Sequence, residues 1–263
     1  MIFAHDIPDG AKLYFGKKAK IKREIEKIAS EVFENEGYEE IVTPYFSYHQ
    51  LEALREKDLI RFTDSENRTL ALRGDSSIDV IRLVLKRLKS EAKKWFYIQP
   101  VFRAPSTEIY QIGAEWLEGK LEDVLKTNIN ILNRLDKSYP LVVSHIKIPK
   151  LICELTDLEM EDIEKLRLYK FPNWVKKLLG DLEDVLIFPK EIRECVEEIK
   201  EFKKFNAILA PLYVANLRYY TGIFYRFLNK NDVISKGGEY EVEGIKSSGF
   251  SIYTDNLLKE WDG

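Results

Sequence analysis

Cysteine, histidine and methionine are all scarce in this chain of 263 residues, which holds two cysteines, three histidines and two methionines. Cys153 and Cys195 are too few for a disulfide framework or a thiolate zinc cluster. His5, His49 and His145 have no ligand-like spacing, so no metal site is expected. Long apolar runs are missing too. None approaches the roughly 18 residues that a membrane span needs, and the N-terminus lacks the basic region and apolar stretch of a signal peptide. A reducing, cytoplasmic setting with no membrane contact is expected. There is also no basic excess: 41 Lys and Arg face 44 Asp and Glu, for a net charge of -3. Bulk electrostatics therefore give no basis for an autonomous nucleic-acid binder.

What is present is ordinary globular composition, 45% hydrophobic and 32% charged, in a length that fits one large core, or a core with a small insertion. Ile21, Ile25, Ile28, Ala29, Val32 and Phe33 recur every three to four residues, which predicts an amphipathic helix over 17–36 ended by Gly37. A short strand follows over 39–43, stopped by Pro44. Residues 59–63 and 68–72 read as a hairpin around the polar turn 64–67. Asp75, Ser76 or Ser77 can cap a helix that runs to about residue 94 and turns basic toward its end. That basic run is either a solvated helix end or a ligand site. Strands are predicted over 95–102, 110–117, 139–144, 207–212, 222–228 and 249–253, and a helix over 121–136. The segment 145–206 reads instead as several helices broken at Pro172, Gly180 and Pro189. The adjacent Gly237 and Gly238 mark a tight bend or a close backbone approach. The pattern is α+β: a largely antiparallel sheet flanked by helices, with residues 1–144 and 207–263 as core and 145–206 as a helical insertion.

The strand over 110–117 carries the clearest chemical signal. Alternation puts Gln111, Gly113 and Glu115 on one face and Tyr110, Ile112, Ala114 and Trp116 on the other. A face of Gln, Gly and Glu suits a pocket floor or a solvent-exposed surface better than a packed core.

Six segments, taken in order, resemble the class II aminoacyl-tRNA synthetases and specifically the histidyl branch. Glu39-Glu40-Ile41-Val42-Thr43-Pro44 resembles motif 1, a dimer-forming element. Leu72-Arg73-Gly74-Asp75-Ser76-Ser77 resembles the histidyl Leu-Arg-Pro-Glu-x-Thr stretch. Val101-Phe102-Arg103 with Gln111-x-Gly113-x-Glu115 resembles motif 2 and the histidine-binding strand. Tyr219-Tyr220-Thr221-Gly222, Gly237-Gly238-Glu239-Tyr240 and Gly249-Phe250-Ser251-Ile252 resemble the two later histidyl motifs and the motif 3 strand. The resemblance implies a histidine site. Gln111 and Glu115 would hold the α-amino group, with Asp75 and Ser77 nearby. Tyr219 and Tyr220 would read the imidazole, unless they only pack at a sheet edge. Arg103 would clamp carboxylate and α-phosphate.

Other positions depart from the enzymes. Asn256 stands where motif 3 has an arginine. Ala215-Asn216-Leu217-Arg218 replaces the catalytic Arg-Gly-Leu-Asp, leaving Arg218 as a possible spatial substitute for the lost arginine. Glu239 replaces the arginine of Gly-Gly-Arg-Tyr. Only residues 104–107 remain of the motif 2 loop, and no counterpart of the anticodon-binding domain is expected. Each lost cation removes a few kcal/mol of phosphoryl stabilisation, so no catalytic residue, cofactor or tRNA substrate is expected. This profile resembles the synthetase-like regulatory subunits of ATP phosphoribosyltransferase, which opens histidine biosynthesis. That resemblance implies a non-catalytic chain that dimerises and joins the short-form catalytic subunit in a hetero-octamer. The chain would be required for that subunit's reaction of ATP with phosphoribosyl pyrophosphate, and would mediate its feedback inhibition by L-histidine. The helical insertion and the basic helix are candidate surfaces for the catalytic subunit. The alternatives are a divergent minimal histidyl-tRNA synthetase or related amino-acid-activating ligase, an RNA-binding regulator on the same fold, and a regulatory subunit without histidine sensing.

Overall fold

The first long helix, α1 (Gly16–Asn35), forms where the apolar spacing predicts it and buries Ile25, Ala29, Val32 and Phe33. Gly37 takes φ +77° just beyond it, a conformation that glycine adopts without strain. The computed structural model describes residues 3–48, 54–180, 182–215 and 219–261. His49, Asn216, Leu217 and Arg218 lie outside the described residues. The chain divides into two compact units, Met1–Ser138 with Val242–Gly263, and Tyr139–Glu241. The segment 145–206 falls in the second, together with several strands. Among the described residues no helix is long and apolar enough to cross a membrane.

In the first unit the strand predicted over 39–43 shrinks to β1 (Glu39–Glu40): Ile41 still donates to the Phe96 carbonyl, but the Thr43 amide donates to the Gln99 side chain instead of the ladder. A small sheet follows from β2 (Phe46–Ser47), β3 (Arg61–Thr63) and β4 (Thr69–Leu72), with β4 in the middle. The hairpin turn at 64–67 is held by Asp64, whose Oδ1 accepts from the Glu66 and Arg68 amides at 2.9 Å each. Helix α2 (Ser76–Arg82) starts under the Asp75 side chain, which accepts from the Ile78 amide. It does not continue to residue 94. A π-helical turn closes it over Leu83–Leu88, and Lys89 reverses the chain at φ +51°. Beyond it Lys93 precedes, and Lys94 opens, strand β5 (Lys94–Arg103). Lys94 donates to the Glu36 carbonyl at 2.9 Å and lies 4.1 Å above the Trp116 ring, so its charge is used locally.

β5 pairs antiparallel with β6 (Thr107–Leu117), setting Tyr97 opposite Gly113 and Gln99 opposite Gln111. Helix α3 (Leu121–Arg134) packs beside α1 over this sheet.

The second unit opens with β7 (Leu141–His145), then runs through α4 (Lys147–Leu155), α5 (Met160–Glu164), α6 (Asn173–Lys177) and α7 (Lys190–Lys200). Pro172 and Pro189 occupy the N-caps of α6 and α7, where a missing amide hydrogen costs nothing. α7 lays Ile192, Cys195, Val196 and Ile199 inward and packs on β7. Cys153 and Cys195 are both free thiols. The strand predicted over 207–212 is reduced to β8 (Ile208–Leu209), parallel to β7. β9 (Tyr220–Asn229) turns at Lys230, φ +52°, into β10 (Asp232–Val242). This last strand replaces the bend considered at Gly237-Gly238. The close approach is what holds: a β-carbon on Gly238 would lie 2.8 Å from Phe224 Cβ and from the Tyr220 ring.

Back in the first unit, β11 (Ile245–Tyr253) pairs antiparallel with β6, and α8 (Thr254–Leu258) follows. One face of β5, β6 and β11 presents Phe96, Ile112, Ala114, Phe250 and Ile252, all buried. Phe33 stacks on Phe96 with centroids 4.8 Å apart. Burying an aromatic of this size contributes about 1.5–3 kcal/mol. The apolar core thus consumes one sheet face and leaves the opposite face to other chemistry.

Candidate functional site

The opposite face of the first unit's sheet carries Tyr97 and Gln99 from β5, Gln111, Gly113 and Glu115 from β6, and Gly249 and Ser251 from β11. It is not solvent-exposed. Glu115 is 0% exposed and Gln111 only 7%, and α2 packs across β6. Of the two readings of this face, the solvated one is excluded.

Two absent side chains make the arrangement possible. A β-carbon on Gly113 would fall 2.4 Å from the Tyr97 hydroxyl oxygen, so that hydroxyl fills the space above Gly113. A β-carbon on Gly249 would fall 1.8 Å from Glu115 Oε2. The carboxylate and the phenol are thereby brought together: the Tyr97 hydroxyl donates to Glu115 Oε1 at 3.3 Å and pairs with Ser251 Oγ at 2.9 Å. Ser77 hydrogen-bonds to the same hydroxyl. Burial, with the nearby Glu115 charge second, pushes the Tyr97 pKa well above its ordinary value. The phenol stays protonated and remains a donor to the carboxylate. A buried carboxylate held in this way, with a neutral amide on the same strand, matches the needs of an ammonium ligand.

Asp75 and Ser77 sit at the start of α2, both nearly buried. Arg103 ends β5 and donates to the Phe102 carbonyl at 3.1 Å. Its guanidinium passes within 3.2 Å of the place where a β-carbon on Gly74 would be, next to the α2 cap. Within the first unit the fold therefore gathers Asp75, Ser77, Gln111 and Glu115, with Arg103 beside Gly74.

Arg73, from the same segment, does different work. It is 0% exposed and has carbonyl and hydroxyl partners rather than a carboxylate. Nη1 donates to Thr43 O at 2.7 Å, Thr43 Oγ1 at 2.9 Å and Pro44 O at 3.2 Å. Nε and Nη2 donate to Pro100 O at 3.1 and 2.6 Å. The planar fork ties the chain at 43–44 to β5.

Tyr219 and Tyr220 belong to the second unit. They meet edge to face at 5.2 Å, Tyr219 meets Tyr240 at 5.7 Å, and Tyr220 stacks on Phe224 at 5.7 Å. Glu239 turns its carboxylate over Gly222, where it accepts from the Ile223 amide at 2.9 Å. The same unit holds an apolar cleft of about 540 Å³ lined by Ile163, Leu166, Leu178, Leu179, Leu209 and Leu212.

Sequence reasoning passed over Tyr97, Gln99 and Ser251, the second being a neighbour of the pocket whose amide is bonded to Thr43 and Ser76 and not a ligand group. The signal was available for the first two: a hairpin turning at 104–106 sets Tyr97 across from Gly113 and Gln99 across from Gln111. Ser251 needed the β11 register, which sequence spacing does not supply.

A family model described as histidyl-tRNA synthetase matches residues 14–170. The ATP phosphoribosyltransferase regulatory subunit of Wolinella succinogenes is 38% identical, over 99% of this chain and 97% of its own. The protein of the same name in Helicobacter hepaticus is 36% identical, over 98% of this chain and 99% of its own. Among solved structures, an ATP phosphoribosyltransferase regulatory subunit/histidyl-tRNA synthetase from Bacillus halodurans aligns with a TM-score of 0.85 at 20% identity, covering 100% of this chain and 85% of that one. At that identity the likeness speaks for the fold.

Proposed function

The chain belongs to the histidyl-tRNA synthetase-like family of ATP phosphoribosyltransferase regulatory subunits, and we propose that it binds L-histidine and mediates feedback inhibition of a short-form catalytic subunit. It is the non-catalytic member of that pair, and the catalytic subunit requires it for activity. The observation that carries the histidine assignment is the buried Glu115 carboxylate, held by the Tyr97 hydroxyl on the face that also bears Gln111. An ammonium is the ligand such a group prefers to water. Regulation is then linkage: histidine shifts the assembly by as much as it distinguishes the less active state from the more active one.

Three positions argue against amino-acid activation. Asn256 and Ala215 are uncharged, and Glu239 places a carboxylate where the resemblance expects a cation. A developing phosphoryl charge gains nothing from this set. Arg103, at the edge of the pocket, favours a residual activating ligase together with Glu115 and the two tyrosines, and ATP–pyrophosphate exchange tests that reading directly.

Self-association is assigned to the exposed apolar strip of the first unit. Val42 is 75% exposed, and Tyr45, Phe46 and Phe62 are exposed beside it. Strips of this kind mark interfaces more often than free surface. The apolar cleft of the second unit is assigned to the catalytic subunit, in keeping with exposed Leu166 and Leu179 in its lining.

The test is a calorimetric titration with L-histidine, with and without the catalytic subunit, on the natural chain and on Glu115→Gln. Saturable binding that changes when the catalytic subunit is added, and a loss of about tenfold or more in the variant, is the expected result. No binding in either sample, or equal affinity in the variant, overturns the assigned pocket.

A further inference from the structure

Within the first unit, the polar sheet face and the exposed strip at 42–46 share a row of buried hydrogen-bonding groups. Resting on the reading of one as a histidine pocket and the other as a self-association face, we infer that Gln99 is a positioning residue that couples histidine occupancy to dimer formation.

Gln99 stands opposite Gln111 on the pocket side of the sheet. Its amide is fully occupied. Nε2 donates to Ser76 Oγ at 3.1 Å and to Thr43 Oγ1 at 3.1 Å, and Oε1 accepts from the Thr43 amide at 3.1 Å. Ser76 lies between Asp75 and Ser77 in the first turn of α2, so one end of the amide is bonded to the turn that borders the pocket. The other end is bonded to Thr43. From there Arg73 fixes the Thr43 and Pro44 carbonyls, and its amide donates to the Tyr45 carbonyl at 2.6 Å. Phe46 follows at once, exposed on the strip.

Burial turns this row into a coupling element. Thr43 is 3% exposed, Ser76 1% and Gln99 4%, so water does not reach these atoms to replace a lost partner. A ligand that moves the first turn of α2 either carries Thr43 with it or leaves a buried polar group unpaired. The second outcome is the costly one. The backbone that presents Tyr45 and Phe46 therefore changes together with the pocket. Apolar residues of similar size would pack at these positions without the desolvation cost that three buried polar side chains carry. Linkage is reciprocal: whatever factor histidine imposes on dimerisation, dimerisation imposes on histidine affinity.

The experiment measures the dimer dissociation constant by sedimentation, with and without saturating L-histidine, for the natural chain, Gln99→Met and Thr43→Val. The natural chain should shift by about fivefold or more. Calorimetry at protein concentrations below and above that constant should show histidine affinity changing by the same factor. Gln99→Met should still bind histidine and still dimerise, with the shift lost. Thr43→Val breaks the row from the other end and gives the same result if Gln99→Met does not fold. Binding and dimerisation that are indifferent to each other in the natural chain overturn the coupling alone. A shift that persists in both variants overturns the role of Gln99. Absence of histidine binding, or a monomer at every concentration, overturns the proposed function and the coupling with it.

Discussion

The Glu115 carboxylate occupies the space where a side chain on Gly249 would begin, with Oε2 1.8 Å from that β-carbon position. Gly249→Ala should therefore displace Glu115 from Tyr97. The expected result is a stability loss of about 1–3 kcal/mol by urea denaturation and a fall of about tenfold or more in histidine affinity by calorimetry. Gly180→Ala is the control, since its β-carbon would meet only an ordinary contact at 3.6 Å. A Gly249→Ala protein with unchanged affinity would show that the carboxylate is not the anchor.

Arg73 joins the chain at 43–44 to β5 through a fully buried guanidinium. Arg73→Met leaves the Thr43, Pro44 and Pro100 carbonyls without their donors. A loss of about 3 kcal/mol or more is expected in denaturant unfolding. Arg73→Lys should recover only part of it, because one ammonium cannot span all three carbonyls. Full recovery by lysine would show that charge alone, not the fork, holds this corner.

His145 should make stability depend on pH. The ring is 1% exposed, Nε2 lies 3.0 Å from Glu198, and Nδ1 accepts from the Lys147 amide at 3.2 Å. Burial lowers its pKa below the ordinary 6.5, with Lys147 acting in the same direction and Glu198 opposing. Between the folded and unfolded pKa values the unfolded chain holds a proton that the folded chain lacks. Stability is thus complete above about pH 6.5 and falls on acidification, by at most about 1.4 kcal/mol per pH unit. His145→Gln should flatten that slope in melts between pH 5 and 7. An unchanged slope would place the titrating group elsewhere.

Phe46→Glu tests the self-association strip. The ring is 59% exposed and meets Phe62 edge to face at 5.5 Å. The dimer dissociation constant should rise about tenfold or more, while monomer stability changes by no more than about 0.5 kcal/mol. An unaffected sedimentation profile would move the interface off this strip.

Much of the fold was legible because periodicity reports burial directly. The stripe Ile25, Ala29, Val32, Phe33 gave α1, and alternation along β6 gave the polar face. Where reading failed, a residue served a purpose its type does not advertise. Of the two readings of Gly237 and Gly238 the bend fails, since both lie within β10 just before a register shift, and the close approach holds at Gly238, where Tyr220 and Phe224 need the room. Lys93 and Lys94 suggested a helix end, but Lys94 begins a strand and lies across Trp116. Gln111 and Glu115 were visible from one strand. Their supports, Tyr97 and Ser251, come from two other strands, and long-range register is what local sequence specifies least.

The glycines beneath Tyr97 and Glu115 also bear on how such a pocket can evolve. At 113 and 249 the volume of a missing side chain is already taken by a neighbour. Any single gain of bulk there meets an occupied site. A smaller residue at 97 or 115 relieves only part of this, because the Phe250 carbonyl oxygen lies 2.7 Å from a β-carbon at 113 and the Ala114 carbonyl oxygen 2.7 Å from one at 249. Backbone as well as side chain thus sets glycine at both positions, and a drift toward another ligand must begin elsewhere on this face. Lineages carrying this sheet face should keep both glycines.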